Sequence, residues 1–206
     1  MAFTFFFRDH DALEQAAEAL CERFEQGGAL RVWDAGCATG EEPFSLAMIF
    51  AERISYWDLP RLHIDATDID ESGSNQFREI IANGVYDTRA VDSVPPGLVE
   101  RYFRKNGGGD LVEVDYRIRE CVSFQRHDLL SLEPVGGDYD LIVCKNVLMH
   151  FSPDQQTEVV RMFHGCLRRD GILAMDQAQQ VPEDLRAAFV PLSPRGCVFR
   201  RADASK

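Results

Sequence analysis

Hydrophobic residues recur along this chain with two alternating patterns, one typical of short strands and one typical of helices. Mostly apolar strands are predicted at 30–35, 61–70, 139–144 and 171–176. Helices are predicted from an aspartate cap at 9 or 11 to about 26, after residue 40, through 80–81 to the Asn-Gly pair at 83–84, and at 153–167. A short helix near 182–189 and a strand near 196–201 complete the chain. This alternation predicts a parallel sheet covered by helices.

Residues 85–127 interrupt that alternation. Turn signals stand at 94–97 (VPPG) and 105–110 (KNGGGD). The segments 111–118 (LVEVDYRI) and 120–127 (ECVSFQRH) alternate apolar and polar residues. They are predicted to form an antiparallel pair with one solvated face, inserted into the α/β frame.

Length, charge and cysteine usage narrow the class of protein. The 206 residues suit one domain, 1–206, and the net charge of −12 argues against nucleic acid as the main partner. No cysteine pair has the Cys-x-x-Cys spacing, so we expect reduced, mostly buried thiols and no metal site. No apolar run reaches 18 residues and no signal peptide is evident, so a cytoplasmic protein without membrane insertion is expected.

The stretch DAGCATGEEPFS, residues 34–45, joins the first strand to a helix. Gly36, Ala38 and Gly40 carry little or no side chain, so a ligand can approach their backbone closely. Glu41 and Glu42 follow directly, and they would repel a pyrophosphate. A ligand with a cationic end suits this turn better, and S-adenosylmethionine has a sulfonium and an ammonium. The alternative is that both glutamates merely stabilise the first helical turn.

Further polar residues follow the other predicted strands, at the edge where open parallel sheets bind ligands. Asp68 can accept hydrogen bonds from two ribose hydroxyls, while its neighbour Asp70 is interpreted as a helix cap. Asp128 could accept from an adenine amino group or could be a turn residue, and Lys145 and Asn146 end the strand at 139–144.

Together these segments resemble a known family, CheR. Its members are the bacterial chemotaxis-receptor methyltransferases, which use S-adenosylmethionine to methylate glutamate side chains. The resemblance covers nearly the whole chain and lies in the segments FTFFFRD, RVWDAGCATGEEPFSLAM, ATDID, GVYDTR…VERYF, VSFQRHDLL, YDLIVCKNVLMHF and LRRDGILAMD. It implies an α/β class I S-adenosylmethionine-dependent methyltransferase, Rossmann-like with a mostly parallel seven-stranded sheet. The family's small antiparallel β-subdomain matches an insertion at about 86–126.

The resemblance also assigns roles to residues. Thr4 and Arg8 would lie near the methionine end of the cofactor and its methyl group, and Glu41 or Glu42 would hold the polar end. Asp68 would take the ribose. The pocket would be completed by Gly36, Asp128, Leu129, Lys145 and Asn146. S-adenosylhomocysteine would be the product.

The implied reaction needs no strong base, because a glutamate carboxylate is already ionised at neutral pH. The enzyme's task is then mainly alignment in a dry cavity. Arg8 would hold the incoming carboxylate; the alternative is an exposed ion pair with Asp9 or Asp11.

Several positions depart from the family pattern. Ala2 stands for an asparagine, Lys145 for an arginine, His150 for a tyrosine expected to face the methyl group, and Asp176-Gln177 for Ser-Glu. His150 could act as a base or donor, which would suit an amine or hydroxyl acceptor, or it could simply pack at the end of the turn.

The family usually has an N-terminal helical domain with basic residues, and the sequence starts almost at the cofactor-contacting segment; either the protein lacks that domain or the sequence is trimmed. The charge of −12 is a poor match to acidic receptor helices. The resemblance nevertheless makes an acidic receptor or signalling protein the leading substrate. There are two alternatives. One is a CheR-like enzyme that methylates another protein or a small molecule, and the other is a non-catalytic module that binds the cofactor.

Overall fold

A computed structural model describes residues 4–70, 75–107, 109–192 and 196–202. Seven strands form the main sheet, in the order β6-β2-β1-β7-β8-β10-β9. They are β1 (Leu30–Ala35), β2 (Leu62–Asp68), β6 (Val122–Arg126), β7 (Tyr139–Cys144), β8 (Leu167–Met175), β9 (Phe189–Pro191) and β10 (Val198–Arg201). The first five strands of that order run parallel, and β10 pairs antiparallel with β8 on one side and with β9 on the other. The predicted mostly parallel seven-stranded sheet is confirmed.

Helices cover both faces of this sheet. They are α1 (His10–Glu25), α2 (Glu41–Ala51), α3 (Gln76–Asn83), α4 (Pro96–Tyr102), α5 (Tyr116–Glu120) and α6 (Pro153–Cys166). A 3-10 turn at Glu183–Ala188 replaces the short helix that was predicted near 182–189. None of the helices among the described residues is long and apolar enough to cross a bilayer.

The core is divided by the sheet because neighbouring strand residues face opposite sides. Val32 and Val143 join the cluster that includes the apolar faces of α1 and α2. Trp33 and Cys144 join the cluster on the other side, with Phe163 of α6. All six residues of β7 are buried, which is typical of a parallel strand covered on both faces.

A second sheet of three short antiparallel strands lies in the region that interrupts the alternation. It has the order β3-β5-β4 and consists of β3 (Val85–Asp87), β4 (Phe103–Lys105) and β5 (Leu111–Val114). The small antiparallel sheet is therefore confirmed, but the predicted pairing of 111–118 with 120–127 is wrong. Residues 116–120 form α5, and β6 joins the main sheet parallel to β2. An edge strand with one solvated side alternates like an antiparallel strand, which explains the error.

Two predicted helix caps have different outcomes. Asp9 precedes α1 in a left-handed conformation, and its side chain makes no capping hydrogen bond. The N-cap residue of α3 is Asn75 rather than Asp70, although the carboxylate of Asp70 accepts from the backbone N–H of Phe77, in the first turn of α3, at 3.4 Å.

Candidate cofactor site

The turn between β1 and α2 is tied to the end of β2. The backbone N–H groups of Gly36 and Cys37 donate to the carbonyl of Thr67, at 2.8 and 3.0 Å. Gly36 has φ 108°, Ala38 φ 47° and Gly40 φ 99°. Positive φ costs glycine little, so the chain can make this compact turn at the edge of the sheet.

Close packing also requires the two glycines. A Cβ on Gly36 would lie 2.2 Å from Cγ2 of Val147, and a Cβ on Gly40 would lie 2.6 Å from Cγ1 of Ile81. Neighbouring side chains therefore fill the space that a side chain at either position would take. Only the remaining backbone surface of the turn is open to a ligand.

The two glutamates after the turn have different surroundings. Glu41 is 7% exposed and accepts a hydrogen bond from the Thr39 hydroxyl at 2.7 Å. Glu42 accepts from the Lys145 ammonium at 2.9 Å. Burial raises the pKa of both carboxyl groups; Thr39 opposes the shift at Glu41, and Lys145 and Arg8 oppose it at Glu42.

Lys145 joins three parts of the site. Its side chain is fully buried at the end of β7, and besides Glu42 it donates to the backbone carbonyl of Arg8 at 2.7 Å. The N-terminal segment is thereby held against α2 and β7. Phe7 N–H, which donates to the Ser45 hydroxyl at 2.9 Å, adds a second tie.

Asp34, the last-but-one residue of β1, is a buried carboxyl group that the sequence analysis did not single out. It is 1% exposed, and its Oδ2 has no hydrogen-bond partner among the described residues. Burial and the neighbouring Glu42 raise its pKa well above the ordinary value, Lys145 opposes this, and Asp68 adds to it. An acidic residue near the end of LRVWDA, a strand whose only other charged residue is Arg31, was the available signal.

Asp68 supports the turn directly. Its Oδ2 accepts from the Ala38 N–H at 2.9 Å and its Oδ1 from the Asp70 N–H at 3.2 Å. Both carboxylate oxygens of Asp68, the residue predicted to bind the ribose, therefore already accept hydrogen bonds from the backbone. Each carboxylate oxygen has more than one acceptor position, so hydroxyl donors can still bind.

The remaining pocket residues lie at neighbouring strand ends. Asp128 is exposed and accepts from the Leu130 N–H at 2.9 Å, which is the turn interaction given above as the alternative to adenine binding. Its neighbour Leu129 is buried. Asn146 has φ 59°, and its N–H donates to Oδ2 of Asp176 at 3.2 Å. Asp176, one of the departures from the family, thus fixes the backbone after β7.

The two residues assigned to the methyl end are Arg8 and His150. Nε of Arg8 lies 3.7 Å from Oδ2 of Asp9, its side chain is 28% exposed, and its charge also acts on Glu42. The predicted alternative, an ion pair with a neighbouring aspartate, is therefore present. His150 ends a 3-10 turn, Leu148–His150, and is exposed rather than packed. Thr4 is half-buried at the start of the described chain, and Ala2 lies outside the described residues.

A cavity of about 450 Å³ lies elsewhere, beside the segments that lead into β2 and β6. It is lined by Tyr56, Trp57, Tyr116 and Arg117, whose guanidinium carbon stands 4.3 Å and 4.5 Å from the ring centres of Tyr56 and Trp57. Those segments precede the strands, whereas the acidic residues follow them. The acidic crevice at the carboxyl ends is the better site because sheets of this type bind ligands there.

The charged groups of this crevice fit a cationic nucleoside ligand. The buried Asp34 is close enough to Glu42, Asp68 and Lys145 for their charges to act on it, and Lys145 and Arg8 act on Glu42. A glycine turn, an orphaned carboxyl oxygen and an excess of acid suit S-adenosylmethionine better than a dinucleotide. This fold and this crevice define a class I S-adenosylmethionine-dependent methyltransferase domain.

Comparison with known proteins identifies the family. The family described as "CheR methyltransferase, SAM binding domain" matches residues 2–194, so the chain belongs to the CheR methyltransferase family. The predicted family and the predicted cofactor, S-adenosylmethionine, are confirmed.

The chain is similar to several curated proteins. It is 33% identical to a chemotaxis protein methyltransferase of Escherichia coli over 82% of this chain, and 34% identical to one of Listeria monocytogenes over 85%. It is 36% identical to an uncharacterized 104.1 kDa protein of Rhodobacter capsulatus over 96% of this chain. It spans 58%, 64% and 20% of the lengths of these three relatives. Among solved structures, a methyltransferase from Geobacter sulfurreducens has a TM-score of 0.48, with 14% identity over 91% of this chain and 78% of its own, a likeness too distant to inform function.

Proposed function

We propose that this protein transfers the methyl group of S-adenosylmethionine to glutamate carboxylates of chemoreceptor-like proteins, as a cytoplasmic enzyme. The observation that carries the proposal is the excess of carboxyl groups at the glycine turn, where Glu42 is paired with the ammonium of Lys145 and the buried Asp34 has an oxygen without a hydrogen-bond partner among the described residues. Such a crevice favours a donor with a positive charge. The names of the chemotaxis methyltransferase relatives support the choice of acceptor.

S-adenosylmethionine, when bound, supplies an electrophilic methyl group on a sulfonium. The residues of this chain bind, orient and exclude water. We assign the ribose to Asp68, the polar end of the methionine to the side of the turn formed by Glu41 and Glu42, and the adenine to the region of Asp128 and Leu129. An acceptor carboxylate is ionised at neutral pH, so the residues need only align it.

Arg8 is the residue that we assign to the acceptor carboxylate. Its carbonyl is fixed by Lys145 at 2.7 Å, while its guanidinium is partly exposed and near an aspartate that an incoming carboxylate could replace. A planar guanidinium binds a carboxylate in bidentate fashion. The buried lysine therefore positions the arginine that faces the acceptor.

Cofactor binding is tested with Asp68→Ala, by titration calorimetry with S-adenosylhomocysteine. We expect binding to be abolished, because the variant loses both the ribose acceptor and the hydrogen bonds that hold the turn. Asp65→Ala is the matched control on the same strand, since Asp65 accepts from the hydroxyl of Tyr139 and not from the turn. Unchanged binding by Asp68→Ala would show that the pocket is assigned wrongly.

The acceptor is tested by transfer of a tritiated methyl group to chemoreceptor fragments. We expect the fragments to become labelled and the label to be released by base, because base hydrolyses methyl esters. Arg8→Ala should reduce turnover far more than cofactor affinity. Equal loss of both would assign Arg8 to the cofactor's own carboxylate, and no labelling of any receptor fragment would exclude this substrate class.

A second candidate function is methyl transfer to an amine or hydroxyl of another acceptor. The observation in its favour is that His150 and Met149, the latter 62% exposed, form an open surface directly after β7. A neutral imidazole there could remove a proton from such a nucleophile. Transfer of the methyl group to an amine or hydroxyl acceptor by the wild type, and its loss in His150→Tyr, would favour this function; labelling confined to base-labile esters in both proteins would favour the carboxylate.

A further inference from the structure

Tyr86 belongs to the small antiparallel sheet, but its side chain reaches the turn between β1 and α2. Its hydroxyl donates to the backbone carbonyl of Thr39 at 2.7 Å. A Cβ on Gly40 would lie 3.0 Å from the same hydroxyl oxygen, so the tyrosine lies directly against two consecutive residues of the turn. Tyr86 is also buried. The small sheet therefore supports the turn from outside the main sheet.

The carbonyl of Thr39 needs a donor from outside α2. Within that helix the Phe44 N–H donates to the carbonyl of Gly40, the residue that caps the helix. The residue four positions after Thr39 is Pro43, which has no backbone N–H. The hydroxyl of Tyr86 supplies the donor instead. Removing it would leave a carbonyl without its partner, which costs free energy wherever water cannot take its place.

The orientation of Thr39 also sets the position of an acidic side chain. The Thr39 hydroxyl donates to Oε2 of Glu41 at 2.7 Å. Burial, and then the charge of Glu41, raise the pKa of the Tyr86 hydroxyl well above its ordinary value, so at neutral pH the hydroxyl keeps the proton that it donates. Tyr86, Thr39 and Glu41 thus form one chain of contacts from the small sheet to the acidic side of the turn.

The ring of Tyr86 is held in place by other aromatic rings. It packs edge to face against Phe6 and Phe44, with ring centres 5.0 and 6.4 Å away. Phe6 in turn packs against Phe103 of β4 at 5.1 Å, and its carbonyl accepts from the Ser93 hydroxyl at 2.8 Å. Such packing restricts the orientation of a buried ring. The hydroxyl of Tyr86 is therefore a donor with a fixed position.

We propose that Tyr86 is a positioning residue for the methyl donor: it holds the Thr39 carbonyl, and with it the backbone of the turn, in the form that binds the cofactor. It acts through Thr39 and Glu41, and we assign it no contact with the cofactor itself. A turn that is already ordered loses less conformational freedom when a ligand binds, so the affinity is higher. This inference rests on the proposed function, since it requires that S-adenosylmethionine binds at the turn.

Tyr86→Phe tests this inference, because it removes one oxygen atom and keeps the ring. Affinity for S-adenosylhomocysteine is measured by titration calorimetry, at a temperature at which circular dichroism shows the wild type and the variant to be folded. We expect the variant to bind about tenfold more weakly, because the unpartnered carbonyl lets the turn leave its binding form. The Gly40 N–H donates to the Cys37 carbonyl within the turn at 3.0 Å. Its hydrogen exchange, followed by NMR, should be faster in the free variant and return toward the wild-type rate at saturation.

Tyr102→Phe is the matched control. Tyr102 ends α4 beside the small sheet, is 2% exposed, and donates its hydroxyl to Oε1 of Glu52 at 2.6 Å. Glu52 lies at the opposite end of α2 from the turn. This variant also loses a tyrosine hydroxyl hydrogen bond, so it reports what lost stability alone does to binding. We expect its affinity to stay within about twofold of the wild type, since the two sites share no partner.

The outcomes separate this inference from the proposed function. Wild-type affinity in Tyr86→Phe would overturn the positioning role, while the cofactor assignment would stand. Equal weakening by both variants would also overturn it, because lost stability would then explain the effect. If the wild type itself does not bind S-adenosylhomocysteine, the proposed function and this inference fail together.

Discussion

Two buried aspartates stand at opposite ends of adjacent parallel strands, and only one of them has its oxygens satisfied. Asp140, near the start of β7, is 2% exposed and accepts from the Arg31 N–H at 2.9 Å. Two guanidinium groups also approach it, from Arg23 at 2.7 Å and Arg168 at 3.1 Å. Asp34, near the end of β1, is 1% exposed with an orphaned Oδ2.

The comparison indicates that Asp140 has a structural role, whereas Asp34 is left available for a ligand. At the amino ends of the strands, arginines on α1 and β8 neutralise the charge of Asp140 and fasten those elements to the sheet. At the carboxyl ends, Lys145 is shared between Glu42 and a backbone carbonyl, so Asp34 has no cation of its own. Unsatisfied buried polar groups are costly, and proteins retain them mainly where function requires them.

The largest effect is expected from Lys145→Met, which removes the only ammonium of the acidic cluster. Glu42 would remain buried without its partner, and breaking a buried ion pair in this way costs about 3–5 kcal/mol of unfolding free energy. The loss should be greatest at neutral pH and shrink in acid, because protonated Glu42 needs no counter-charge. Urea denaturation at several pH values measures it.

Arg168→Met, which removes a cation from Asp140, is the control for Lys145→Met. Arg168 is one of two guanidinium groups near Asp140, and its side chain is 33% exposed. The remaining Arg23 still neutralises the carboxylate, so the loss should be under about 1 kcal/mol. Equal losses for the two variants would contradict the view that Glu42 depends on Lys145 more than Asp140 depends on Arg168.

Asp140→Asn is expected to have the next largest effect. The amide can still accept from the Arg31 N–H, but Arg23 and Arg168 lose their shared counter-charge. Because both arginines are partly exposed, we expect a loss of about 2 kcal/mol rather than the full cost of a buried unpaired charge. Denaturant unfolding at neutral pH tests this; a gain in stability would show that Asp140 is not structural.

Asp34→Asn should change stability in the opposite direction. The wild type must either desolvate an ionised Asp34 or hold its proton, and both cost free energy as the pH rises. A carboxyl pKa that is raised on folding contributes stability in acid and loses it as the pH rises toward the folded value. The variant should therefore gain about 1 kcal/mol at neutral pH and nothing near pH 4. A loss at neutral pH would mean that Asp34 is paired in solution.

The sequence predicted the frame and the strand ends but not the pairings that distinguish the two aspartates. Repeated apolar strands and helices predict a parallel sheet, and parallel strands bring Asp68 and Asn146 to the same edge. The partners of these side chains come from far along the chain: Lys145 and Glu42 are 103 residues apart, and Asn146 and Asp176 are 30 apart. Such contacts depend on packing across the sheet, which local periodicity does not contain.

Local patterns also failed where elements are short or lie at an edge. α5 has five residues, about one and a half turns, so it shows no helical periodicity. β6 has no fully buried residue, and its alternation suited an antiparallel strand equally well. Asp34 was overlooked because one carboxylate at the end of an apolar strand is also typical of a turn.

The smallest effect is expected at an ion pair that has neither burial nor a ligand role. Asp87 is exposed and holds Arg89 through hydrogen bonds at 2.8 and 3.0 Å, and these bonds lower the pKa of the carboxyl group to about 2. Arg89→Ala should raise that pKa part of the way toward the ordinary value near 4, because the backbone N–H of residue 89 still donates to Asp87, and should not measurably change the unfolding free energy. A carbon-detected NMR titration of Asp87 and parallel denaturation measure both. A clear loss of unfolding free energy would show that an ion pair stabilises this fold even without burial. The contrast between Asp34 and Asp140 would then need another cause.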